Sequence, residues 1–160
     1  MRAVPIAAVG IVLCGIVSSG QAPAVRQAPR DRAVDFKLSE LEAVAKDITA
    51  KKLLTQRVLE GGTYSINVRH IAGAETALQH GKIAEIWVVR DGSGTVATGG
   101  SLVEPKKVGT VEGEMSGSSI QGGTERVIST GDLVFIPPGV PHGIKQSTSI
   151  TYLNIRFEIK

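Results

Sequence analysis

Two hydrophobic periods follow one another along this chain. Leu38, Leu41, Val44, Ala45 and Ile48 recur at helical spacing and predict an amphipathic helix, its apolar stripe packed on the outside of a sheet. Ser39 reads as the N-cap, with Glu42 completing an S-x-x-E capping box, and the pairs Glu42–Lys46 and Asp47–Lys51 support the helix to an end near Ala50. From residue 53 the period shortens to that of strands. Segments 53–59 and 63–71 flank Gly61-Gly62 and predict a hairpin. Segments 76–80 and 83–90 make a second pair, and Asp91-Gly92-Ser93-Gly94 reads as a tight turn before a short strand over 95–98. Segment 102–123 has no clear period and reads as a long loop near the mouth of the fold. Segments 125–129 and 132–136 flank Thr130-Gly131, and 150–159 closes the chain as a long strand. About eight short strands with turns at this spacing predict an all-β barrel or two-sheet sandwich.

The N-terminus breaks this pattern. Met1 and Arg2 precede an apolar run over 3–17, followed by Ser18, Ser19 and Gly20. This is the form of a secretory signal peptide, taken as residues 1–24 with cleavage after Gly20 or Ala24. The run is shorter than the about 18 apolar residues that span a bilayer, so no stable membrane insertion is expected after cleavage; an uncleaved anchor is the other reading. Residues 25–37 read as a flexible linker and 38–160 as one domain. The expected product is exported, either periplasmic or secreted. Cys14 is the one cysteine, and Leu13 before it departs from the small residue of a lipoprotein signal. Once residues 1–24 are removed, no disulfide, thiolate ligand or thiol nucleophile remains.

Composition narrows the picture further. With 160 residues, 42% hydrophobic and 21% charged, the chain is long enough for one core and short for two. Nineteen glycines between short apolar runs fit a turn-rich β fold. A formal charge of +3, one unit of it from Arg2, leaves no basic stripe, which argues against a nucleic-acid partner. The glycine clusters lack the strand-then-helix setting of a phosphate loop, and no serine elbow is present.

The most specific segment is Gly131-Asp-Leu-Val-Phe-Ile-Pro-Pro-Gly-Val-Pro-His142. Pro137, Pro138 and Pro141 cannot donate to a ladder, so they belong at a strand end, where Gly139 supplies the turn and His142 is held at a fixed point. This segment resembles the second motif of the cupins, G-x5-P-x-G-x2-H, at every named position. Upstream, His80, Glu85 and Gly92 stand in register with the first cupin motif, H-x-H-x4-E-x6-G. The first histidine of that motif falls on Leu78, and the Asn that often trails the second falls on Gln146. The resemblance covers about residues 53–160 and is to small secreted single-domain cupins. It implies a cupin double-stranded β-helix, or jelly-roll barrel, with a short N-terminal helix, commonly as a homodimer.

The residues themselves point to a metal. Of the three histidines, His80 and His142 lie in these motifs, and a hairpin brings His80 and Glu85 together on adjacent strands. Two imidazoles and a carboxylate suit a divalent Fe, Mn, Zn or Ni ion and leave positions open for water or substrate. His70 is a possible substitute ligand, on the face of Tyr64, Ile66 and Val68. By alternation Trp87 and Val89 share the face of Glu85 and line the interior. Arg69 is a candidate anchor for an anionic substrate. Tyr152, Asn154 and Arg156 form the polar face of the last strand and carry no assigned role. The reading is a metal-dependent enzyme on a small organic molecule, with a dioxygenase favoured and an isomerase or lyase also open. The alternatives are a non-catalytic small-molecule-binding cupin with a degenerate site, and an interaction protein with a vestigial pocket.

Overall fold

The computed structural model describes residues 24–159. The expected leader over residues 1–24 therefore lies, Ala24 apart, outside the described residues.

The helix forms where its stripe predicts, as α1 (Leu38–Ala50), and buries Val44 and Ile48 completely. Its start differs from the expected capping box. The N-cap is Lys37, and Glu40 rather than Glu42 reaches back to accept the Lys37 N–H at 2.9 Å. The reason is tertiary: Arg26 donates to Glu40 at 2.6 Å and holds it in that role. Arg26 and Gln27 themselves form β1 (Arg26–Gln27), which pairs parallel to β2 (Thr55–Glu60). The segment expected as a free linker is thus pinned at this point. Among the described residues no helix is long and apolar enough to cross a membrane.

β2 and β3 (Tyr64–Ile71) form the hairpin expected at Gly61-Gly62, with Gly62 at a φ of +80°. β4 (Ala77–Gln79) follows. The next strand corrects the expected turn: β5 (Ile83–Thr98) runs straight through Asp91–Gly94 as one 16-residue element. Gly92 adopts a φ of +75° and lies so close to β12 (His142–Glu158) that a Cβ there would stand 2.0 Å from the Ser149 carbonyl oxygen. The glycine supplies a bend in place of a reversal. Before the bend β5 pairs with β11 (Leu133–Ile136), and after it with β10 (Thr124–Ser129). β12 follows the same corner alongside, with register shifts between Ile144 and Gln146 and between Ser147 and Ser149. Those shifts erase the period-2 signal over 142–149, so β12 begins well before the expected residue 150.

The expected loop over 102–123 also carries short strands: β6 (Ser101–Val103), β7 (Lys106–Lys107), β8 (Met115–Gly117) and β9 (Ser119–Gln121). β6 and β9 pair apart from the main sheet, and β8 pairs with β4 and β7. Among the described residues the main ladder is an open path, β1-β2-β3-β12-β4-β8-β7, with β5 also paired to β12 and, on its other edge, to β10 and β11.

This mostly β architecture has two cores. The inner one gathers Trp87, Val89, Val134, Ile136, Ile150 and Tyr152 with their neighbours. The outer one is made by α1 on the opposite face, where Val44 and Ile48 pack on Val58 and Val68 against Ile66 and Leu153.

Candidate metal centre

The two sequence motifs meet through the backbone. His80 sits just past β4, and its carbonyl accepts the Gly139 N–H at 2.7 Å. Gly139, at a φ of +77°, is the turn of the proline-rich segment, and three residues later His142 opens β12 opposite Leu78. Glu85 enters from the start of β5, where Arg156 and Ile136 are its cross-strand neighbours. The ligand-type atoms of His80, Glu85 and His142 all lie within 4.8 Å of one another. The three residues are 6%, 1% and 3% exposed.

The polarity of this cluster is unusual. His80 Nδ1 lies 2.5 Å from Glu114 Oε2, and a carboxylate accepts only, so Nδ1 carries the proton. His142 Nδ1 donates likewise to the Val140 carbonyl at 2.8 Å. In both rings the Nε2 lone pair is then left facing the Glu85 carboxylate, at 3.2 Å for His80 and 3.5 Å for His142. His142 Nε2 is buried with no hydrogen-bond partner. Three acceptors converging in a buried space repel one another unless a cation lies between them. Their spacing suits ligands each about 2.0–2.2 Å from one ion. The donor set fits a divalent metal, and the Nδ1 contacts are of the kind that orients histidine ligands where a metal is bound.

Glu85 is held from other sides too. Trp87 Nε1 and Asn154 Nδ2 donate to its Oε2 at 2.7 and 3.1 Å. Arg156 Nε lies 3.0 Å from Oε1. Burial alone would raise the Glu85 pKa, but in acid, with both imidazoles protonated and no metal between them, the hydrogen bond from His80, the charges of His142 and His80 and the Trp87 N–H outweigh it and hold the carboxyl at about 2. Burial drives the His142 pKa below its ordinary value, against the pull of Glu85 and Val140, and favours the neutral, coordinating form.

Trp87 stands on the inner face, edge-on to His142 at 5.7 Å and stacked on Tyr152 at 4.6 Å between centroids. Arg69 is also inside, but it is committed to Glu75: Nη2 lies 2.5 Å from Oε2, and Glu75 Oε1 accepts the Ile144 N–H at 2.8 Å. His70 is a correction. It follows Arg69 on β3 and so faces the outer side, where Nδ1 bonds Thr151 Oγ1 at 3.0 Å. There it lines a groove of about 680 Å³ with α1 residues such as Leu41 and Ala45, across the sheet from Glu85. It is no substitute ligand.

Four residues absent from the sequence-based site belong to its surroundings: Glu114, Asn154, Arg156 and, further off, Glu75. Alternation had grouped Asn154 and Arg156 on one face, and their pairing with Trp87 and Glu85 marks that face as the inner one. Nothing local in the sequence marks Glu114, which arrives on the β7–β8 connection.

No protein-family model matches the chain, and no curated protein does. Solved structures do. BH2720 of Bacillus halodurans superposes with a TM-score of 0.54 at 12% identity, over 82% of this chain and 84% of its own. Hydroquinone 1,2-dioxygenase of Sphingomonas sp. TTNP3, solved with 4-hydroxybenzoate bound, gives a TM-score of 0.50 at 17% identity, over 67% of this chain and 66% of that one. A cupin 2 conserved barrel domain protein of Salinispora arenicola CNS-205 aligns more loosely, with a TM-score of 0.44 at 14% identity, over 65% of this chain and 74% of that one. At such identities what this chain shares with the first two is the fold.

Proposed function

We propose that this chain is a cupin, its sheets curled into a jelly-roll barrel, and that it is a metal-dependent enzyme acting on a small organic molecule. The observation that carries this reading is the convergence of His80 Nε2, His142 Nε2 and the Glu85 carboxylate, three buried acceptors with no donor between them. They would hold one divalent Fe, Mn, Zn or Ni ion. Such an ion, with positions left open, acts as a Lewis acid or, if iron, supports oxygen chemistry.

The chain's own residues do the rest. Glu114 and the Val140 carbonyl fix the two imidazoles by their Nδ1–H groups, so that both Nε2 atoms point at the centre. Trp87 and Asn154 fix the Glu85 carboxylate in the same way. The inner core keeps bulk water from the buried side. A dioxygenase is favoured among the reactions because the two-histidine, one-carboxylate set is that of iron oxygenases, and one neighbour of this fold carries that name. Export by a leader over 1–24, and pairing of two copies, are parts of the same proposal. The exposed Leu133 and Phe135 on the outer face of β11 support pairing.

One observation favours a second reading, a binding module without catalysis. Leu78 stands directly opposite His142, an apolar side chain where the first cupin motif has a histidine. Elemental analysis of protein purified without chelators or metal-affinity resin decides between the two. About one metal ion per chain is expected. A metal-free chain that also rejects added Fe(II), Mn(II) and Zn(II) overturns the metal proposal in favour of the binding module.

A further inference from the structure

We infer that the site takes a small organic carboxylate, and that Arg156 is the group that binds its charged oxygens. This rests on the reading of His80, Glu85 and His142 as the reacting centre.

Arg156 leaves its buried Nε–H without an acceptor. Its guanidinium has five N–H donors and no acceptor. Nε lies 3.0 Å from Glu85 Oε1 but is not aligned with it, and it remains a buried donor without a hydrogen-bond partner. Nη2 lies 3.3 Å from His80 Nδ1, an atom whose proton is already directed at Glu114, so the contact sets donor against donor. A buried Nε–H left this way is costly unless an acceptor arrives. The best acceptor is planar, anionic and has two oxygens, which a carboxylate provides.

Access and charge agree. The Arg156 side chain is 26% exposed while those of His80, Glu85 and His142 are between 2% and 7% exposed, so Arg156 is where a ligand from solvent first meets the cluster. The carboxylates of Glu85 and Glu114 set against Arg156 and a divalent ion leave one positive charge, which a monoanion cancels. Once Glu85 coordinates an ion it also holds Arg156 less strongly, which frees the guanidinium for the ligand. Arg69 shares the orphaned Nε but differs in charge and access: its guanidinium is matched by Glu75 at 2.5 Å, and its side chain is 13% exposed. Arg69, the sequence-based candidate for an anion anchor, is the committed arginine, and Arg156 is the available one.

The test is an NMR titration of the full metal-loaded chain with acetate and benzoate, each compared with its neutral amide, acetamide or benzamide. At least one acid should bind about tenfold or more tightly than its amide, as expected for a charge-assisted contact. Arg156→Met should abolish that preference with metal content retained, and Arg156→Lys should leave an intermediate one, since a point charge replaces the fork. Acids that bind no better than amides overturn the inference, as does a preference unchanged in both variants. Should Arg156→Met not fold, Arg156→Lys decides alone: an acid preference equal to the parent's overturns it. Metal content measured on the same samples keeps the two proposals apart. An acid preference that depends on Arg156 in a chain that holds no metal supports the anion assignment and sinks the metal one. Metal without acid preference does the reverse.

Discussion

The two faces of β3 and β12 invert the usual rule for a sheet. On the outer face stand Ile66, Val68 and Leu153, apolar because α1 lies over them and removes them from water. On the inner face stand Asn67, Arg69, Asn154 and Arg156, polar because the inside at this end holds charge and not only a core. Burial is deep on both sides, at Val68 on the outer face and at Asn67 and Asn154 on the inner, so hydrophobicity alone does not tell inside from outside here. What distinguishes the faces is satisfaction. Outer-face groups meet partners of ordinary kind, whereas the inner face holds orphaned donors and acceptors: Arg69 Nε, His142 Nε2, Asn154 Oδ1 and Arg156 Nε. A fold without a ligand would rarely tolerate so many in one place.

The largest effect should come from removing one converging acceptor. On the metal proposal, His142→Ala takes away a ligand, not merely a group that orients one. Metal affinity should therefore fall by more than the about 10–100-fold that loss of an outer hydrogen-bond partner costs. Competition with a chelator of known affinity measures it. Parent-like affinity in His142→Ala would break the comparison at its root, because the inner face would then be polar for some reason other than a metal.

How much of this was legible in the sequence follows from which signals are local. The H-x4-E spacing and the proline-rich P-x-G-x2-H segment each lie within one hairpin or turn, so short-range chemistry sets them, and they led to His80, Glu85 and His142. The helix stripe led to α1 for the same reason. Asp91–Gly94 misled because a turn signal states that the chain can bend and not how far; pairing with β10 on one side and β11 on the other settled it as a corner. Period-2 alternation separated His70 from Arg69 and Asn154 from Leu153, yet it carries no label for inside. With α1 covering the apolar face, His70 was drawn toward the site and Arg156 left without a role. Glu114 was invisible, since its contact with His80 spans 34 residues of chain and its segment has no period.

Acid should sharpen the contrast by a smaller amount. In the chelator-treated protein the His142 and Glu85 shifts have the same sign, and the Glu75 carboxyl, raised by burial, opposes them. His142 has a folded pKa below its ordinary 6.5, so as pH falls below that value the unfolded chain takes up its proton first, and stability declines. Glu85 is held at about 2 against an ordinary 4.5; its stabilisation is present above pH 4.5 and lost as pH falls toward 2. That gap is worth at most about 3 kcal/mol over the whole window. Urea midpoints should thus slip gently below pH 6.5 and more steeply below 4.5, and Glu85→Gln should lack the steeper part. A midpoint that stays flat from pH 7 to pH 3 would mean these groups are not buried as described.

The smallest effect belongs to the outer face, and its smallness is the point. His70 stands on the outer face of β3, whereas His142 opens β12 beside the inner cluster. The His70 Nδ1 reaches Thr151 Oγ1 rather than a backbone carbonyl, and its ring lines the groove under α1 rather than the cluster around Glu85. His70→Ala removes one hydrogen bond at a half-buried position and leaves Thr151, which also lines the groove under α1. The cost should be about 1 kcal/mol or less in urea unfolding. Metal content and chelator competition should match the parent, where His142→Ala loses both. Should His70→Ala shed metal as His142→Ala is expected to, β3 would have to be turned over. Asn67 and Arg69 would then face α1, and the polar-inside assignment of this half of the sheet would fall with it.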